Sequence, residues 1–239
     1  MNLAVDYGNT RIKIGLFNEH ALEFHSSFDH LEDFLDWSKK KQFDNAIISS
    51  VNQPIDNVLE SLPITGKKLV MSQSIPLPVQ IKYQTPHTLG VDRIAAACGA
   101  IELLPKRNCL VIDMGTCINY EFVDDQCNYF GGAISPGVSM RFKAMHKFTA
   151  KLPLVNPSEN IELIGTNTTE SLQSGVMIGV LSELEGVIKR YHEKYPNLGV
   201  ILCGGDAYLF ENKLKQPIFV APNLVLRGLN RILVHNVGL

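Results

Sequence analysis

The stretch LAVDYGNTRIKIGLF, residues 3–17, sets an aspartate and then a glycine directly behind a short apolar strand, and CLVIDMGTCINYEFV, residues 109–123, does the same again. Asp113 stands 107 residues after Asp6, and Gly115 stands 107 residues after Gly8. A period that long exceeds the ~20–50 residues of a solenoid unit and predicts two halves of similar build. Neither a linker nor a low-complexity tract interrupts the chain, so the expectation is two closely packed domains, 1–107 and 108–239, with a cleft between them.

Hydrophobic periodicity fills in an α/β pattern around the two turns. In the first half, strands are expected at 3–7, 11–17 and 21–28, then a helix over 30–40 carrying Leu31, Phe34, Leu35 and Trp37. A buried strand at 43–51, a short helix at 54–62 and strands in KKLVM and LPVQIKY follow, before a helix over 90–104 with the stripe Val91, Ile94, Cys98 and Ile101. In the second half, DDQCNYFGGAISPG is a hairpin partner and a long helix covers 168–191. GVILCGGDA is a strand ending in a glycine turn, and a last helix covers 223–235. The series Met177, Val180, Leu181, Leu184 and Ile188 reads as a core stripe or a dimer face.

Composition narrows the partners. With 45% hydrophobic and 19% charged residues over 239 positions, the chain can bury a sizeable core, and a net charge of −2 offers no footprint for nucleic acid or an anionic membrane. No apolar run approaches the ~18–20 residues of a membrane span and no signal-peptide pattern opens the chain, so a cytoplasmic location is expected. The five cysteines are an odd number without C-x-x-C spacing, which reads as reduced thiols rather than a disulfide framework or a zinc site. His87, His146 and His235 lie far apart with no i, i+4 pairing and suggest no metal centre.

An aspartate at a strand end followed by Gly-Asn-Thr or Gly-Thr brings backbone N–H groups, a hydroxyl and a carboxylate to one tight turn. The N–H and hydroxyl donors suit phosphate oxygens; the carboxylate suits a cation that bridges to them. A single D-x-G is usually only a β-turn. Two copies behind equivalent strands, with the paired glycines of CGGDA as a third point of close backbone approach, favour a nucleotide site. Neither G-x-x-x-x-G-K-[ST] nor a strand-linked G-x-G-x-x-G is present to compete with it.

Taken in order, DYGNT, GVDR, DMGT, GGAISPG, KLP, GTNTTES and GGDA resemble the type III pantothenate kinases, a branch of the acetate-kinase, hexokinase and actin superfamily. The resemblance implies two RNase-H-like halves of the actin and hexokinase ATPase type. It also implies a homodimer that transfers phosphate from ATP to the 4′-hydroxyl of pantothenate, the first step towards coenzyme A, using Mg²⁺ and K⁺ or NH₄⁺. Carried over by position, Asp6, Tyr7, Gly8, Asn9, Thr10, Arg11, Ile12 and Lys13 form the first phosphate loop, with Asp6 near the Mg²⁺. Asp113 would hold the monovalent cation, Thr116 would contact ATP, and Gly204 and Gly205 would border the adenosine. In GVDR, Gly90 and Val91 line the substrate, Asp92 is the catalytic base and Arg93 anchors pantothenate, while Tyr83 and Thr168 are further substrate contacts.

The chemistry agrees with these roles. Phosphoryl transfer needs alignment, charge neutralisation and little proton removal, for which an ionised carboxylate suffices. The plainer readings are an acid favoured by the helix dipole for Asp92, a surface ion-pair partner for Arg93 and a half-buried strand aromatic for Tyr83. The chain departs from the family pattern at Cys117, Asn119 and Glu121, where Ala, Thr and Asp are common, and at Cys203, where Thr is. The first three bear on cation coordination, and none of the four touches the expected base. Two rival functions keep the same scaffold: a kinase of another small hydroxy-acid or sugar, and a non-catalytic nucleotide-binding regulatory module.

Overall fold

A computed structural model describes residues 1–8, 11–50 and 55–238 of the chain, which divide into two compact units. The first comprises 1–106, 123–130 and 223–239; the second comprises 107–122 and 131–222. The expected boundary near residue 107 is therefore crossed twice, because the hairpin tip 123–130 and the last helix both belong with the first unit.

The first unit is built on a five-stranded sheet in the order β3-β2-β1-β4-β5. Its strands are β1 (Asn2–Tyr7), β2 (Ile12–Asn18), β3 (Ala21–Phe28), β4 (Asn45–Ser50) and β5 (Lys68–Val70). β1, β2 and β3 run antiparallel in sequence, whereas β4 and β5 lie parallel to β1. Alternation along β1 splits the sheet into two faces. Leu3 and Val5 join Ile12, Ile14, Phe34, Ile48 and Leu59 in the core beneath α1 (Leu31–Ser38) and α2 (Asp56–Ser61). Beside it Trp37 stacks on Phe24, Phe34 and Phe43 at centroid separations of 6.0–6.3 Å.

The opposite face carries α3 (Val91–Leu103) and α6 (Leu224–Val237). Asn2 bonds Asn230 of α6 and accepts from Asn45, which identifies Asn2, Ala4 and Asp6 as the side of β1 that faces α6. α3 and α6 cross at bare backbone: a Cβ on Gly228 would fall onto the Ala95 carbonyl, and one on Gly99 onto the Leu224 carbonyl. The expected single stripe on α3 gives way to burial of every residue from Ile94 to Ala100, because Ala and Gly let the helix be enclosed all round. Val91 and Ile101 are only half-buried. Within this unit the two-residue β6 (Gln80–Ile81) pairs with Asn128 and Tyr129.

The second unit repeats the scheme. Its strands are β7 (Cys109–Met114), β8 (Cys117–Val123), β9 (Asn128–Pro136), β10 (Gly199–Cys203) and β11 (Phe219–Val220). They lie in the order β9-β8-β7-β10-β11, with β6 continuing the sheet beyond β9, so that numbered within its own unit each set of five strands reads third, second, first, fourth, fifth. The 107-residue repeat is thus a repeat of topology, and the α/β fold class is as expected. The long helix α5 (Thr168–Lys194) buries Met177, Val180, Leu184 and Ile188 at 0% exposure in this unit's core, which is the core alternative for that stripe. A helix absent from the sequence reading, α4 (Val138–Phe148), follows the Ser-Pro-Gly turn. All five cysteines are free thiols; Cys98, Cys109 and Cys203 are buried.

Candidate active site

Each unit presents an acid-glycine turn at the end of its first strand. In the first unit Asp6 sits near the end of β1, opposite Lys13 of β2 and Ser49 of β4. The turn is closed by a Gly8 N–H donated to the Arg11 carbonyl at 3.1 Å. Asn9 and Thr10, expected as phosphate contacts, lie outside the described residues. Arg11 is used at the surface, its Nε 2.9 Å from Asp29 Oδ1. Tyr7 is half-buried, Ile12 belongs to the core and Lys13 is exposed.

The same unit carries the GVDR segment as the start of α3, with Gly90 at the N-cap. The Asp92 Oδ1 accepts the Arg93 N–H at 2.9 Å and lies 2.5 Å from where a Cβ on Gly90 would stand. The carboxylate is therefore folded back over residue 90, and any side chain there would displace it. Arg93 lies over the ring of Tyr83 with its guanidinium carbon 5.8 Å from the centroid, so these two expected substrate contacts stand together.

In the second unit three turns converge at the carboxyl ends of two parallel strands, where ligands bind in open α/β sheets. Asp113 on β7 is in register with Cys203 on β10, and Gly204 follows at φ +91°. A Cβ on Gly204 would lie 2.5 Å from both Asp113 Oδ1 and the Met114 nitrogen. The Asp206 N–H then donates to the Met114 carbonyl at 2.9 Å, locking the glycine turn onto the acidic one. The Ser-Pro-Gly turn completes the group. Gly137 N–H donates to the Thr116 carbonyl at 3.2 Å, and a side chain at 137 would strike the Gly115 and Thr116 carbonyls. Thr116 and Gly205 are exposed and Asp113 is half-buried. Burial raises the Asp206 carboxyl above the ordinary carboxylate range.

Two features of this unit escaped the sequence reading. Asp206 looks like a turn acid in GGDA, and only its burial beside the glycine turn marks it. Arg141 ties the Ser-Pro-Gly turn down: its Nε donates to the Pro136 carbonyl at 2.9 Å, and its guanidinium reaches Ser135 Oγ at 3.0 Å and Glu183 Oε2 at 2.5 Å. Tyr120 donates to Glu183 Oε1 at 2.8 Å. Burial pushes Glu183 up, but hydrogen bonds from Arg141, Ser135 and Tyr120 outweigh it and hold the carboxyl below its usual range. Thr168 is the exposed first residue of α5, whose N-cap Asn167 accepts the Glu170 N–H at 3.0 Å.

The residues fit a nucleotide with a phosphate-bridged cation. Gly204 and Gly137 let the three turns pack directly onto one another, and Gly205, with nothing within 4 Å of where a Cβ would stand, leaves the open main chain that close approach of a ligand requires. Among the described residues no three His, Cys, Asp or Glu side chains form a metal-binding group. A cation shared by one or two carboxylates with phosphate oxygens and water needs no such group.

Two sheets of matched order, each with an acidic turn behind its first strand, define the class of actin-like and sugar-kinase ATPase folds. Solved structures agree on the fold. A Baf family protein of Campylobacter jejuni matches with a TM-score of 0.65 at 20% identity over 99% of this chain and 100% of its own. A protein named as a 2-dehydro-3-deoxygalactonokinase from Sinorhizobium meliloti matches with a TM-score of 0.59 at 13% identity over 98% and 99%. The type III pantothenate kinase family model matches residues 2–190, and the chain belongs to that family. The chain is 44% identical to the type III pantothenate kinase of Cytophaga hutchinsonii over 99% of this chain and 100% of the relative. It is 42% identical to that of Bacteroides fragilis (strain ATCC 25285) over 100% and 99%. Among the described residues no helix is long and apolar enough to cross a membrane.

Proposed function

We propose that this chain transfers the γ-phosphate of ATP to the 4′-hydroxyl of pantothenate, committing pantothenate to coenzyme A synthesis in the cytoplasm. The observation that carries this reading is the family match over residues 2–190, which contains every assigned motif except the Gly204–Gly205 turn.

In this reading Asp92 takes the proton from the attacking hydroxyl. Its carboxylate is folded over Gly90 and fixed by the Arg93 N–H, which limits it to a small set of orientations. Arg93 engages the pantothenate carboxylate, with the Tyr83 ring beneath its guanidinium and Thr168, Gly90 and Val91 as further substrate contacts. Residues 6–13 and Thr116 donate to phosphate oxygens, and Gly204 and Gly205 border the adenosine. Asp6 would hold Mg²⁺ and Asp113 would hold K⁺ or NH₄⁺, and such cations would supply neutralisation of the charge on the phosphates. The working form is a homodimer. Phe148, Leu163 and Ile164 of the second unit are 77–80% exposed and are large apolar side chains that a second copy would cover.

Incubation with ATP and pantothenate, read by mass spectrometry, should yield 4′-phosphopantothenate. Asp92→Asn should lower kcat by about 10²–10⁴-fold while ATP binding persists. Turnover of a different hydroxy-acid or sugar, with none of pantothenate, would reassign the substrate. Nucleotide binding without turnover of any acceptor would favour a regulatory module.

A further inference from the structure

Ser49 carries a polar group that the described residues leave unused. It stands near the end of β4 with 0% exposure, and among the described residues its Oγ has no hydrogen-bond partner. A buried hydroxyl without a partner lowers stability, and alanine or valine would fill the same strand position without that cost.

α3 and α6 lie over this face of β4, and within the sheet itself one neighbour of Ser49 carries a side-chain acceptor. Along β4 the neighbour on the same face is Ile47. On the β5 side Met71 follows Val70, the partner of Ile48, and is itself buried. On the β1 side the residue in register is Asp6, next to Lys13 of β2. Adjacent strands lie about 4.8 Å apart, so the Asp6 carboxylate is within a side-chain rotation of the Ser49 hydroxyl. Asp6 is half-buried and spans the step from solvent to the buried rung.

We infer that Ser49 is a positioning residue for the first phosphate loop: its Oγ–H donates to the Asp6 carboxylate in the nucleotide-loaded enzyme and fixes the orientation of that carboxylate. The inference rests on the reading of Asp6 as part of that loop. It gives a use to a buried hydroxyl that has no hydrogen-bond partner among the described residues.

The role predicts opposite signs for stability and binding. Ser49→Ala should leave the thermal midpoint of the nucleotide-free protein unchanged or raised, weaken MgATP binding measured by calorimetry about tenfold, and raise the KM for ATP equally while the KM for pantothenate stays put. Ser49→Cys, which keeps the shape but donates weakly, should behave like Ser49→Ala. In an Asp6→Asn background, Ser49→Ala should add little further loss, because the two side chains act as a pair. If Asp6→Asn itself leaves MgATP binding intact, the phosphate-loop reading fails. If Asp6→Asn weakens binding and Ser49→Ala does not, or if the two losses add, the role of Ser49 alone is overturned.

Discussion

Replacing Gly204 by alanine tests the second-unit turn most directly, because two independent costs meet at one atom. At φ +91° an L-residue is strained by about 1–2 kcal/mol. The new methyl would also stand 2.5 Å from Asp113 Oδ1 and from the Met114 nitrogen, a backbone atom that cannot swing away. Overpacking of that kind costs about 1–3 kcal/mol, offset by about 0.4–1 kcal/mol from the smaller entropy of the unfolded alanine chain. The net destabilisation is about 3 kcal/mol, which for a chain of this size lowers the thermal midpoint by about 6–12 °C. Because Asp113 and Met114 are the groups displaced, ATP affinity should fall together with stability. Gly205→Ala is the matched control. That position is exposed, with nothing within 4 Å of its would-be Cβ, so its stability should change by less than about 0.5 kcal/mol. Its ATP affinity should still drop if the adenosine lies against it. Differential scanning fluorimetry with and without ATP reads both effects. A Gly204→Ala protein with a midpoint within about 2 °C of the parent and unaltered nucleotide affinity would refute the reasoning.

Three further outcomes follow from geometry elsewhere. Glu183 has a folded-state pKa below its ordinary value of 4.5, so its tie to Arg141 contributes stability above that pH and loses it as the pH falls lower. Arg141→Met should therefore cost about 2 kcal/mol near neutrality, with the gap to the parent closing on acidification in urea titrations. Gly228→Ala sets helix propensity, worth about 1 kcal/mol in favour of alanine, against a methyl driven onto the Ala95 carbonyl. The clash should win by about 2 kcal/mol in the same titrations, and a stabilised variant would show that α3 and α6 can part. The Cys98 thiol is fully enclosed and burial pushes its pKa far up, so iodoacetamide should label Cys117 and Cys127 in the native protein and reach Cys98 only on unfolding, as peptide mapping will show.

Where an element announces itself through local pattern, the sequence sufficed. β1, β2 and β3, the length of α5 and the two acidic turns are all carried by alternation, helical periodicity or turn residues within a few positions. α4 was invisible for the converse reason: Val138–Phe148 interleaves Ser, Arg, Lys and His with its apolar residues and has no side-chain cap, so nothing local marks its start. β6 is two residues long and exists only because Asn128 and Tyr129 lie beside it. The enclosure of α3 depends on α6, more than 120 residues later in the chain, and small residues at 95–100 are compatible with one buried stripe as well as with burial all round. In the site, glycines and acids next to one another in sequence were readable. The apposition of Gly204 with Asp113 and of Ser49 with Asp6 was not, since each depends on strand register.

The membership of α6 in the first unit sets a timetable for synthesis. The β-strand face bearing Asn2, Ala4 and Asp6 awaits a cover that the ribosome delivers only after all of residues 107–222. At about 5–20 residues per second that delay is on the order of ten seconds. By its end the second unit has the last of its strands, β10 and β11, while the earlier-made sheet still lacks α6. The nascent amino-terminal portion, rather than the portion made after it, is the one that must be shielded from aggregation.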